Sequence, residues 1–121
     1  MITEFFVPGT PIPQGSMRAF NNRLVHVNAK ALKDWRGRIE NLYRGELVDG
    51  AVAVKIVFTL PRPRTVSRPL PCVRPDLDKL IRGVLDALTG TAFHDDAQVV
   101  SIIARKEYGP TAGARVTVGP A

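Results

Sequence analysis

The apolar residues Leu77, Leu80, Ile81, Val84, Leu85 and Leu88 recur at the spacing of one helical face, and Gly90 follows as a C-terminal cap, so residues 74–90 predict a helix. Ala31, Leu32, Trp35, Ile39, Leu42 and Tyr43 repeat the same period behind Asn28, a suitable N-cap, and predict an earlier helix running to about Leu47. Between them AVAVKIVFTLP, residues 51–61, is rich in β-branched residues and ends at a proline, which reads as a buried strand. ITEFFVPG at residues 2–9 begins as a strand and stops at Pro8-Gly9. AQVVSIIARKEY (97–108) and ARVTVG (114–119) read as two strands joined by the turn-prone GPTAG. TPIPQGSMRAFNNR, residues 10–23, carries Pro, Gly, Ser and Asn at close intervals and reads as a long loop. The order β-α-β-α-β-β predicts an α+β fold, a single mixed β-sheet with two main helices packed against it. Phe5, Phe6, Trp35, Phe58 and Phe93 occupy strand or helix positions where core packing is expected.

Composition narrows the class. A chain of 121 residues, 45% hydrophobic and 23% charged, fits one domain, residues 1–121, with a real core. No apolar run is long enough to span a membrane, and MITEFFVPG lacks the basic and long apolar segments of a secretory signal, so a soluble cytoplasmic protein is expected. Cys72 is the only cysteine, which excludes an intrachain disulfide and a thiolate zinc site and leaves a spare thiol in a loop.

The net charge of +6 favours a polyanionic partner. From Ala51 to Pro75 there is no acidic residue, while Lys55, Arg62, Arg64, Arg68 and Arg74 supply five positive charges. Most of these lie in PRPRTVSRPLPCVRP, whose prolines exclude a helix and predict a loop presenting arginines to phosphates. Against that background, five of the eleven acidic residues, Asp76, Asp78, Asp86, Asp95 and Asp96, crowd into one short stretch.

On the second helix the polar side holds Asp78, Lys79, Arg82 and Asp86, with Asp76 at the entrance. Two accounts are open. In one, Asp76 caps the helix and Asp78, Arg82 and Asp86 form a surface ladder at i, i+4 spacing. In the other, these carboxylates meet Asp95 and Asp96, which spacing alone does not decide. Gathered carboxylates repel unless a cation neutralises them, and hard oxygen ligands suit Mg²⁺ or Mn²⁺. A divalent ion among carboxylates in a basic protein is what phosphodiester hydrolysis calls for. His94 beside Asp95 is a lesser candidate as base or ligand, and His26 as a DNA contact. Phe20, near Arg18 in the early loop, is a candidate to insert or stack against nucleic-acid bases. No Gly-rich phosphate loop is present, so no nucleotide cofactor is expected.

PDLDKLIRGVLDALTG followed by FHDDAQVV resembles the signature of RusA-like endodeoxyribonucleases, Holliday junction resolvases often encoded by phages and prophages. FFVPGTPIPQGSMRAF is similar to that family's opening strand and Gly-x-Pro-x-Pro loop with its following basic residues. The resemblance implies a homodimer that binds four-way, branched DNA junctions and makes paired nicks with Mg²⁺. It also implies acidic metal ligands, which fall here on Asp76, Asp78 and Asp96, with Asp95 as a supporting or alternate ligand. Asp86 also matches a family position, two turns into the helix, and takes a structural or dimer-contact role. Where the best-known family pattern has a lysine four residues after the second helix acid, this chain has Arg82, with Lys79 on the same polar side. Either Arg82 or Lys79 is then the catalytic cation, and guanidinium and ammonium bind phosphate differently. Arg18, Phe20, Arg62, Arg64, Arg68 and Arg74 are the expected DNA contacts. The competing expectation is a non-catalytic DNA-binding module in which the acids are structural.

Overall fold

The computed structural model describes residues 1–15, 17–20, 23–26 and 29–121, with 17–20 and 23–26 by their backbone alone. Its elements are β1 (Thr3–Pro8), β2 (Met17–Phe20), β3 (Arg23–His26), α1 (Ala29–Leu42), β4 (Val52–Leu60), α2 (Leu77–Leu88), β5 (Val99–Tyr108) and β6 (Gly113–Pro120), with a 3-10 turn at Asp96–Gln98. Four strands make one mixed sheet in the order β1-β6-β4-β5. β4 runs parallel to β5 and antiparallel to β6, and β6 is antiparallel to β1. With its two helices this is the expected α+β fold, and the main sheet and helices follow the expected order β-α-β-α-β-β.

Two elements differ from the sequence reading. The segment expected as a long loop, residues 10–23, contains β2 and the first residue of β3, an antiparallel pair in which Phe20 is registered with Arg23. Its apolar residues are interrupted by Arg18 and Arg23, so no alternating run announces the strands, while the Asn pair between them is the composition a two-residue hairpin connection favours. Helix α1 ends at Leu42, short of Leu47. Gly45 follows, pressed by the side chains of Thr3 and Tyr43, and the Tyr43 hydroxyl donates to the Glu46 carbonyl, so local packing replaces further helical bonds. Asn28, the expected N-cap, and the side chains of Arg18, Phe20 and His26 lie outside the described residues.

The core follows from two periods. Along β4 the residues Val52, Val54, Ile56, Phe58 and Leu60 are buried while Lys55 on the opposite face is exposed, the alternation of a pleated strand. Leu32, Trp35 and Ile39 of α1 and Leu80, Val84 and Leu88 of α2 close over them, joined by Val7, Val116, Val118 and Phe93. Of the five aromatic positions, Trp35, Phe58 and Phe93 are fully buried. Phe5 is half-buried with its ring edge-on to Tyr43, and Phe6 lies half-buried under the Arg115 guanidinium, 5.3 Å from the ring centre. Among the described residues no helix is long and apolar enough to cross a membrane.

Parallel strands need a crossover, and β4-α2-β5 supplies it. α2 begins above the C-terminal ends of β4 and β5, where the Lys106 ammonium donates to the carbonyls of Val73 and Pro75, each at 2.8 Å. It ends beside the start of β4, where the Val48 N–H donates to the Ala92 carbonyl at 2.8 Å. Gly90, at φ +84°, takes the left-handed conformation that stops the helix, as its position in the sequence suggested.

Candidate active site

Asp76 is the N-cap residue of α2 and Asp78 lies in its first turn. Asp76 makes no side-chain capping bond; its carboxylate instead sits 3.5 Å from the Lys79 ammonium. Both acids are exposed, and among the described residues Asp78 makes no ion pair or hydrogen bond. The Asp78–Arg82–Asp86 ladder does not form. Asp86 accepts a hydrogen bond from Gln14 Nε2, seventy-two positions away, and so takes a structural role. At this helix N-terminus Asp76 is thus held only by its pairing with Lys79, and Asp78 has no partner among the described residues.

The early loop fixes this polar flank. The Gln14 N–H donates to the Lys79 carbonyl at 2.9 Å, reinforcing the Gln14–Asp86 bond. At Gly83 a side chain would come within 3.2 Å of the Ile12 carbonyl, so the glycine lets the loop lie directly on α2. Gly15, at φ +103°, passes so close to the Arg82 guanidinium that a Cβ would stand 2.8 Å from it. The Gly-x-Pro-x-Pro segment therefore acts as a brace that orients Arg82 and Lys79.

The arginine loop gathers at the same end. Residues 61–76 form no helix or strand, as the prolines required, and Cys72 within them is exposed. Arg68 Nε donates to the Tyr108 hydroxyl at 3.0 Å, and the Arg62 guanidinium lies 6.0 Å from the centre of that ring. Tyr108 and Lys106, at the end of β5, thus tether the loop to the sheet. Neither was singled out from the sequence; an aromatic and a lysine closing a strand carry no local signal of what they will hold. Arg62, Arg64, Arg74 and Arg82 are exposed and available to phosphates.

Asp95 and Asp96 stand elsewhere. Asp95 Oδ1 accepts from the Ala97 N–H at 2.9 Å and caps the 3-10 turn, while Asp96 is exposed and unpaired among the described residues. His94 Nε2 donates to Asp49 Oδ1 at 2.8 Å, a surface pair that occupies it. Gln98 organises the turn: Oε1 accepts from the N–H groups of His94 and Asp95 at 2.8 and 3.0 Å, and Nε2 donates to the carbonyls of Val48 and Gly50, both at 2.9 Å. This residue too escaped the sequence reading. Gln98→Ala should lower unfolding free energy by about 1 kcal/mol, since it removes four hydrogen bonds to backbone groups, of which only that to the Val48 carbonyl is partly buried. A urea midpoint that does not move would mean water replaces the side chain.

The two acidic groups are therefore separated within one chain. Asp76 and Asp78 stand above the C-terminal ends of the parallel strands; Asp95 and Asp96 precede β5 at the opposite end. The twelve residues of α2 lie between them, about 18 Å at 1.5 Å per residue. Among the described residues no three His, Cys, Asp or Glu side chains gather as a metal site requires. A single protomer supplies two carboxylates at one end and two at the other.

The chain matches the family model for endodeoxyribonuclease RusA over residues 8–119. It is also 29% identical to YqaN, an uncharacterized protein of Bacillus subtilis (strain 168), over 87% of each chain. The matched span takes in the brace loop, the arginine loop, both acidic groups, β4, β5 and all but the last residue of β6, and begins at the final residue of β1. With that span matched almost end to end, the chain belongs to the RusA family of endodeoxyribonucleases.

Proposed function

We propose that this chain resolves four-way DNA junctions by paired, symmetry-related nicks that leave 5′-phosphate and 3′-hydroxyl ends. The observation that carries the reading is the state of Asp76 and Asp78: exposed, uncommitted to cap or ladder, and adjoining a surface of arginines. Neither the capping bond nor the ladder that a structural role would use forms, and Asp76 keeps only its 3.5 Å pairing with Lys79, which supports this reading.

In this reading Arg62, Arg64, Arg68 and Arg74 hold the DNA backbone, and Arg18 and Phe20 add contacts from the β2–β3 segment. Arg82, braced by the early loop, or Lys79, paired with Asp76, faces the charge that builds on the phosphate during cleavage. Asp76, Asp78 and Asp96 are the assigned ligands of Mg²⁺, with Asp95 as an alternate and Mn²⁺ as a substitute ion. Carboxylate oxygens favour these hard cations, and the chain has one exposed thiol and two histidines to offer any softer metal. One protomer alone does not assemble that set of ligands. A homodimer answers the need for two cuts related by symmetry.

Incubation with an end-labelled four-way junction, with EDTA or with Mg²⁺, tests the reading. Paired nicks that appear only with the cation and spare a linear duplex of the same sequence are expected. Tight junction binding with no cleavage in Mg²⁺ or Mn²⁺ would assign the chain to a non-catalytic DNA-binding role instead.

A further inference from the structure

We propose that Lys106 is a positioning residue of the cleavage site: by holding the carbonyls of Val73 and Pro75, its ammonium sets where Asp76 and Asp78 stand. The inference rests on the endonuclease reading above and deepens it.

A lysine on a basic surface usually extends into water or pairs with an acid. The half-buried Lys106 does neither. Its ammonium donates to two backbone carbonyls, each at 2.8 Å, and among the described residues it meets no carboxylate. The pleat of β5 aims it there. Lys106 is registered with buried Phe58, on the helix-bearing face, while Arg105 and Glu107 pair with each other at 2.9 Å. An ammonium has three donors, and two of these are committed to the protein, so Lys106 is poorly suited to gripping a phosphate. Lys79 and Arg82 are left for the reacting group.

The two carbonyls belong to residues three and one positions before Asp76. Among the described residues no other hydrogen bond holds residues 73–75. Asp76 enters α2 with extended backbone, φ −69° and ψ 138°, and without a side-chain cap, so the path of the chain into the helix decides where its carboxylate lies. Downstream the helix fixes that path, because the Leu80 N–H donates to the Asp76 carbonyl at 3.1 Å. Upstream the tie is Lys106. Asp78 is carried on the same first turn. Hydrogen bonds from a charged donor are the stronger kind, so losing both frees the entry to the helix. The rest of α2 should stay in place, since Leu80, Val84 and Leu88 are packed in the core.

The end of β5 thus divides two tasks between neighbours on one face. Tyr108 holds Arg68 and lies by Arg62, whereas Lys106 holds the approach to the acids. Loss of one should not reproduce the defect of the other.

Lys106→Met keeps the stem and removes the donors, and amide exchange reads its effect without metal or cleavage. The Leu80 amide should exchange about 10-fold faster than in the wild type, while the Leu88 amide, at the far end of α2, keeps its protection. Equal exchange at Leu80 overturns the anchor, whatever the activity. Cleavage supplies the second readout. Lys106→Met should need about 10-fold more Mg²⁺ for its half-maximal rate, the size of effect seen when a group that orients metal ligands is removed. Its junction affinity in EDTA should stay within about 2-fold of the wild type, whereas Tyr108→Phe should lose affinity and keep its cation requirement. An unchanged Mg²⁺ requirement, or a defect confined to affinity, overturns the positioning role. A wild type that cleaves no junction strikes the endonuclease reading instead, and exchange still judges the anchor. If the methionine chain does not fold, Lys106→Arg takes its place: it keeps the charge but carries its donors beyond the ammonium position, so both shifts should recur, smaller and in the same direction. Neither recurring overturns the proposal.

Discussion

Asp76→Asn, and separately Asp78→Asn, should reduce junction cleavage by about 10³-fold while junction affinity holds or improves. The amide keeps the shape of the carboxylate and removes its charge. If these carboxylates contribute about 4 kcal/mol to the transition state, as buried or focused electrostatic groups at reacting phosphates and acyl centres do, a loss of that size follows. Neither change should unfold the protein. Asp76 makes no capping bond, its 3.5 Å pairing with Lys79 is half-exposed and contributes under about 1 kcal/mol, and Asp78 makes no described contact. Affinity should not fall, because each variant removes a negative charge from a surface that meets phosphates. Single-turnover cleavage, a binding titration and a thermal midpoint on each variant separate these effects. Near-wild-type cleavage by either variant removes that residue from the site. A parallel loss of binding would make it a DNA-positioning group.

The elements that carry this site were legible because their periods are strong. Six apolar residues at helical spacing defined α2, and β-branched alternation defined β4; both depend on local pattern, which tertiary contacts here only confirm. The same wheel placed Asp78, Lys79 and Arg82 together on the polar side. What the wheel does not contain is translation along the axis. Asp76 and Asp96 are near in sequence, and a segment as short as Thr91-Ala92-Phe93 is compatible with the chain turning back beside the helix. Instead Ala92 and Phe93 are buried, bonded to Val48 and stacked against the start of β4, which commits the chain to launching β5 from the far end. Parallel pairing of β4 with β5 is a long-range fact with no local signature, and it alone sets which end of α2 each acid occupies.

The supporting residues were illegible for a related reason. Gln14, Gln98, Lys106 and Tyr108 act by reaching backbone or side chains at least thirty positions away, and a glutamine that braces a helix looks in sequence like one that faces water. The glycines are intermediate. Gly15 lies in the segment read as a loop and Gly83 within the helix, and the use of both is steric: each leaves room where the brace loop and α2 touch. Sequence thus exposed the candidate groups, while the fold determined which of them a single chain can bring together.

Junction affinity should fall about 10³-fold between roughly 50 and 200 mM monovalent salt. The estimate takes about six phosphates neutralised per bound protomer, each contributing about −0.9 to the slope of log affinity against log salt. Six is a reasonable count for the exposed cations at the Asp76 end, Arg62, Arg64, Arg74 and Arg82, with Lys79 and the half-buried Arg68 beside them. These charges are not equivalent. Arg68 is held by the Tyr108 hydroxyl and Arg62 lies by the same ring, so both keep fixed positions, whereas Arg64 and Arg74 make no described contact. Arg64→Ala/Arg74→Ala should therefore lower the magnitude of the slope by about 2 without changing the thermal midpoint. Tyr108→Phe should leave the number of cations intact and the slope nearly unchanged, yet weaken binding at every salt concentration by freeing Arg68. A wild-type slope near zero would mean that phosphates are not the principal contact. A slope that survives the double arginine variant would move the DNA-binding surface away from this loop.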